Sequence, residues 1–351
     1  MNATPPYPPT SVHLVGSIGL DSVAEVFRTT GKMLGRRLKR APDGEPGPRR
    51  LWASFQYPLL RSSPYLRPDP GGALRKTSGF PLLALAEGVS ADEVSFGELG
   101  YAREARASYL DFCAARDRGE LPAAARFQVC LPTPMGVIYA FCIPKEVLAV
   151  EPAYERAMIA EVAALCAGIP HEDLSIQWDF CHEMIIWDGQ PQDMFPLVGA
   201  SKPEILARLA RICADIPADV ELGFHLCYGD FGARHFVEPR DAGAMVEVCN
   251  GIADTVTHAI AFIHIPVPID RDDDGFFQPL TELRLPKACD FYLGLVHARD
   301  GVEGTQRRIA VARKFVSDFG IATECGIARA RKPSLIVETL QVYADASREP
   351  E

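Results

Sequence analysis

The chain has 351 residues, 48% of them hydrophobic, and a formal net charge of -10. That supplies apolar material for one large core. Without a concentrated basic surface, the acidic balance argues against a nucleic-acid partner, because phosphate binding needs clustered Lys and Arg. No apolar run reaches the ~20 residues that cross a bilayer, and the first residues lack the charged and apolar regions of a secretory leader, so a cytoplasmic location without membrane contact is expected.

Ten cysteines are scattered without the tight spacing of a disulfide scaffold, so most read as core residues and a few as ligands. Residues 1–10 are rich in proline and lack periodicity, which predicts a flexible arm ahead of one domain over 11–351. The first strand is expected within 11–19 and a helix over 20–38, with Asp21 as its N-cap. Residues 39–50 read as a long polar loop, and 57–98 as an irregular insertion.

From about residue 101, apolar runs near 125–131, 174–180, 220–226, 258–265, 291–297 and 320–325 alternate with helical patterns near 148–167, 203–214, 240–256, 302–319 and 334–346. Alternation of this kind is the mark of repeated βα units. With the first strand and an eighth concealed before residue 125, it predicts an α/β fold, a (β/α)8 TIM barrel. GSIGLD after the first strand is not the glycine-rich loop of a dinucleotide-binding open sheet.

In such a barrel, active-site residues sit at the C-terminal ends of the strands. Those ends carry Gly16 and Ser17; Asp179 with His182 and Glu183; His225 with Cys227; His264; His297; and Cys325. Residues i and i+2 of a strand point to the same side, so His225 and Cys227 are placed to grip one metal, and Cys325 could add a second thiolate. Imidazole with thiolate favours zinc. The plainer reading is a chance HxC motif among buried cysteines.

Taken in order, VGSIG, IQWDFCHE, GFHLCYGD, LGLVHARDG and ATECGIAR resemble the successive strand-end motifs of the catalytic half of cobalamin-independent methionine synthase and its single-domain relatives. The resemblance runs over about residues 11–331. It implies zinc held by His225, Cys227 and Cys325, a thiol pocket lined by Gly16, Ser17 and Asp179, and His297 as proton donor or substrate contact. Where the family places a glutamate ligand this chain reads HAIAFIHIPVP. His264 is the implied substitute as a fourth ligand, unless that place is open to substrate. A single barrel also lacks the additional N-terminal barrel of the methionine synthases, so use of a polyglutamylated folate is not expected.

DGEPGPRR resembles a segment of the single-domain relatives, and either it is a solvated loop or Arg49 or Arg50 closes over an anionic substrate group. His182 and Glu183 are candidates for acid–base work, for contact with substrate or for orienting Asp179. The acidic run DRDDD (270–274) lacks the EF-hand pattern and reads as a surface loop. The expected activity is zinc-dependent alkyl or methyl transfer to a small-molecule thiol from an alkyl donor, with homo-oligomers compatible. Alternatives are a zinc-dependent carbon–sulfur lyase or thiol addition, a metal-free porphyrinogen decarboxylase-like barrel, and a binding protein with a structural zinc site.

Overall fold

The computed structural model describes residues 9–76, 78–189, 200–230, 232, 234–328 and 332–348, so most of the proline-rich arm lies outside the described residues. Among the described residues ten strands are formed: β1 (Val12–His13), β2 (Arg40–Pro42), β3 (Leu66–Pro68), β4 (Leu83–Leu85), β5 (Arg126–Pro132), β6 (Leu174–Phe180), β7 (Glu221–Leu226), β8 (Ile260–Pro266), β9 (Asp290–Val296) and β10 (Gly320–Thr323). Eight of them pair in parallel in the order β1-β10-β9-β8-β7-β6-β5-β2. A parallel bridge from Val12 to Leu38, just ahead of β2, brings the two edges together, so the sheet is a nearly closed (β/α)8 barrel. Strands β3 and β4 form a separate antiparallel pair.

Amphipathic helices return the chain between strands and cover the outside of the barrel. Their ends follow from local chemistry. The first, Val23–Leu34, is capped by Ser22, whose hydroxyl accepts from the Glu25 amide, rather than by Asp21 as expected from sequence. Lys202–Cys213 begins with a capping box in which Ser201 and Glu204 satisfy each other's amides. The helix expected over 302–319 ends earlier, spanning Gly301–Ala312.

The eighth barrel strand is β2, inside the stretch expected to be a loop. A charged residue stands there because Arg40 points into the bottom of the barrel. Its guanidinium pairs with Glu221 at 2.7 Å and Asp290 at 3.2 Å and lies 4.4 Å from the centre of the Phe262 ring. Above it the interior is also polar and internally bonded. His13 Nε2 meets Gln177 Oε1 at 2.8 Å, and the Gln177 and Gln128 amides donate to the Val15 and Leu14 carbonyls. Burial, with Arg40 adding to it, pushes His13 down to about 3, so this histidine is a neutral hydrogen-bonding part of the core. Such a core is specific because every buried polar group needs a partner of the right geometry.

Replacing Arg40 by Ala removes the buried one of two cationic partners from Glu221 and from Asp290, which keep Arg126 and Lys39, and uncovers Phe262. We expect a loss of about 3 kcal/mol, the low end for breaking a buried pair because both carboxylates stay partly hydrated. Urea unfolding of Arg40→Ala against the wild type measures it.

Candidate metal centre and its pocket

Alternation along the strands sends Gln177 and Asp179 of β6, His225 of β7 and His264 of β8 into the barrel. Cys227 continues the inward series just past β7, where its amide is held by the Phe180 carbonyl at 3.0 Å. Cys325 follows β10 in a turn fixed by Thr323, whose hydroxyl donates to the Cys325 carbonyl at 2.8 Å. This turn locks onto the first strand's turn through the Ile327 amide, which donates to the Ser17 carbonyl at 2.7 Å. Gly326 is required there: a Cβ would come within 2.2 Å of the Ser17 hydroxyl oxygen.

The ligand atoms of His225, Cys227 and Cys325 all lie within 4.8 Å of one another, and all three residues are buried. Among the described residues this is the one such group of His, Cys, Asp or Glu. The two sulfurs are 3.7 Å apart. Two thiolates on a tetrahedral zinc with Zn–S near 2.3 Å stand about 3.8 Å apart, so the donor set fits the ion in both chemistry and spacing. The Gly229 amide donates to Cys227 Sγ at 3.2 Å.

His264, expected as a fourth ligand, stands behind His225 instead: the two Nδ1 atoms are 2.7 Å apart. One nitrogen donates and the other accepts, so the pair fixes the orientation of the His225 ring. Burial, with nearby His13 adding to it, holds His264 well below the ordinary histidine range and therefore neutral.

The three ligands border a cavity at the C-terminal face of the barrel, together with Gly16, Ser17, Asp179, Cys181 and His182. The Ser17 hydroxyl is buried with no hydrogen-bond partner among the described residues. Asp179 accepts from Trp52 Nε1 at 3.0 Å and from Gln177 Nε2 at 2.8 Å. Gly16, Ser17 and Asp179 thus share one cavity with the cysteines. Glu183 does not: it faces a second buried pocket with Glu151 and Arg208 and accepts a hydrogen bond from Thr133.

Arg49 and Arg50 are also elsewhere. Arg49 is tied to Asp43 at 2.7 Å, and Arg50 donates to the Leu20 carbonyl at 2.9 Å. Their loop still builds the pocket, through Glu45, Leu51, Trp52 and Ser54. The guanidinium on the cavity wall belongs to Arg75, in the segment between β3 and β4, where it donates to the Tyr139 and Ala140 carbonyls. Nothing periodic in residues 57–98 marks it. His297 is half-buried and is not among the residues that line the cavity. Its Nε2 meets the Val267 carbonyl at 3.0 Å, its Nδ1 lies 3.5 Å from Glu324, and burial with the Arg308 charge pushes its pKa down to about 3.

Glu45 and Trp52 are the two non-glycine residues with positive φ among the described residues, at 51° and 54°, and both line this cavity. For a ring as large as indole that conformation is strained, and it persists only where the surroundings impose it. Trp52 is imposed by its bond to Asp179 and by packing on Cys181, Cys227 and Cys325. Glu45 is imposed by Asp43, which accepts from its amide at 2.9 Å and is itself held by Arg49 and Ser108.

The second pocket carries a pH signature. Burial pushes the Glu183 carboxyl from 4.5 up to about 7, against the opposing bond from Thr133. Below its unfolded pKa the group is protonated in both states. As pH rises towards 7 the unfolded state ionises first, so stability falls, by up to about 3 kcal/mol. Glu183→Gln is expected to raise the melting temperature at pH 8 well above that of the wild type and to change it little at pH 4.5, as read by calorimetry across that range.

No protein-family model and no curated protein matches the sequence. The fold does have close counterparts among solved structures. A provisional vitamin-B12-independent methionine synthase of Listeria monocytogenes superposes with a TM-score of 0.59 at 14% identity, over 97% of this chain and 98% of that one. A B12-independent methionine synthase from a Shewanella species, in complex with selenomethionine, gives 0.57 at 15% identity, over 97% and 96%. At such identities the likeness establishes a shared fold: this chain has the barrel of the B12-independent methionine synthase structures.

Proposed function

We propose that the protein transfers an alkyl or methyl group to a small-molecule thiol at a zinc ion held by His225, Cys227 and Cys325. The observation that carries this reading is the convergence of these three ligand atoms on the wall of a cavity, with the sulfurs at the spacing zinc requires. A purely structural zinc site closes itself with four protein ligands. Here three ligands converge and the remaining direction borders space for a substrate. Zinc would supply the positive charge that keeps a bound thiol deprotonated and nucleophilic at neutral pH.

The surrounding residues then have distinct tasks. The contact with His264 engages Nδ1 of His225 and leaves Nε2 as the nitrogen to meet the metal; His264 orients that ring, as the outer partners of metal-bound histidines do. Gly16, Ser17 and Asp179 surround the thiol substrate. His297 acts as a positioning residue: it faces Glu324, the neighbour of Cys325. Carbon–sulfur cleavage or addition would start from the same activated thiol, and product analysis separates it from alkyl transfer.

The purified protein is expected to hold about one zinc per chain. Cys227→Ser and Cys325→Ser should each lose most of it by elemental analysis, whereas His264→Ala should bind zinc at saturation with affinity lowered by about 10- to 100-fold. Full zinc retention in both cysteine variants would refute the assignment. Turnover of model thiols with methyl donors should disappear in the same two variants.

A further inference from the structure

Above the cysteines, the cavity wall combines two features that the thiol half of the reaction does not use. Trp52 and Phe236 present aromatic rings, linked through the ring of His182, whose centre lies 5.7 Å from the first and 6.1 Å from the second. Glu45 and Asp230 present carboxylates on the same wall. Arg75 is the one guanidinium or ammonium group among the described lining residues, and its charge is turned towards the Tyr139 and Ala140 carbonyls. Gly229 is part of this construction: a Cβ there would meet the Phe236 ring at 2.2 Å, so a glycine with φ of 87° lets the ring lie flat over the turn after Cys227.

Aromatic faces beside carboxylates suit one class of ligand better than any other. An onium cation has no N–H or S–H to donate, so hydrogen-bond acceptors alone hold it poorly, while ring quadrupoles and a negative field hold it well. We infer that the alkyl donor is a compact onium compound, a sulfonium or quaternary ammonium ion, seated against Trp52 and Phe236 with Glu45 and Asp230 facing its charge; this rests on the thiol-alkylation reading above. The substrate thiolate forms the new carbon–sulfur bond. The carbon–onium bond breaks, its electron pair returns to the donor's sulfur or nitrogen, and the donor leaves as a neutral sulfide or tertiary amine. Opposite charges are neutralised in a site of low dielectric, which lowers the barrier more than it would in water.

No proton enters this balance, and the surroundings agree. His182, the histidine between the two rings, is neutral, pushed down to about 3 by burial and the Arg75 charge. Asp179 already accepts from two donors. A donor whose leaving group needed protonation would find neither of them equipped to provide it. The strain at Glu45 and Trp52 has a purpose in this arrangement: it brings one carboxylate and one indole from a single loop to the same cavity.

The test is isothermal titration calorimetry on the zinc-loaded full chain with three probes: choline, trimethylsulfonium, and the neutral isostere of choline in which a tert-butyl group replaces the trimethylammonium group. Choline or trimethylsulfonium should bind at least about tenfold more tightly than the isostere, and whichever cation binds better identifies the donor. Glu45→Gln, Asp230→Asn and Trp52→Leu, checked for folding by circular dichroism, should each shrink that preference several-fold. Equal binding of cation and isostere, absence of cation binding, or a preference unchanged in the folded variants would overturn the proposal. Cobalt(II)-substituted protein titrated with mercaptoethanol runs alongside. A thiol-dependent change in its absorption without any cation preference rejects only the onium donor; absence of that change rejects the thiol-activation reading itself.

Discussion

The hydrogen bond from the Trp52 indole to Asp179 joins the two parts of the molecule on which the site depends. On one side it ends a chain of buried polar contacts through the barrel, from His13 to Gln177 and from Gln177 to Asp179. On the other it holds a loop residue in a conformation that indole adopts only under constraint. Because Trp52 also packs on Cys181, Cys227 and Cys325, the same contact sets the distance between the loop wall and the proposed metal ligands. A barrel filled with aliphatic layers would offer that loop no such anchor.

The same logic applies to the pair His225 and His264. Their register on adjacent strands brings the two rings to the same level of the barrel, and the Nδ1 contact uses that proximity. A histidine placed behind a ligand turns it and fixes its tautomer, where a histidine in front would compete for the metal. With two thiolates and a neutral imidazole as donors, the protein's share of the charge balances a dication, and a substrate thiolate adds one further negative charge. In the proposed reaction that charge, with those of Glu45 and Asp230 on the cavity wall, would favour a cationic partner.

Resemblance in fold to the B12-independent methionine synthase structures comes with 14–15% sequence identity. Most of what the two barrels share is therefore path, with strand ends delivering side chains to one rim. What a barrel of this kind does with that rim is decided by the loops beyond the strands. Here the loop after β2 and the β3–β4 excursion supply Glu45, Trp52 and Arg75, and these residues, rather than the barrel, give the cavity its chemical character.

The βα alternation after residue 101 and the two-residue spacing of His225 and Cys227 were legible in the sequence, because strand periodicity is local and acts on neighbouring residues directly. Strand β2 was not: three residues, Arg-Ala-Pro, have no apolar signature, and what makes Arg40 a core residue is its pairing with Glu221 and Asp290, far away along the chain. The role of the loop after it was half legible. Its resemblance to a segment of the single-domain relatives singled out DGEPGPRR, yet Asp43 and the Leu20 carbonyl take up Arg49 and Arg50, and the pocket receives Glu45 and Trp52 instead. His264 was placed at the right strand end, but whether an imidazole meets a metal or another imidazole is settled by the register of two strands and a 2.7 Å contact. Local pattern determines which residues face inward; only the closing of the barrel decides what each of them meets there.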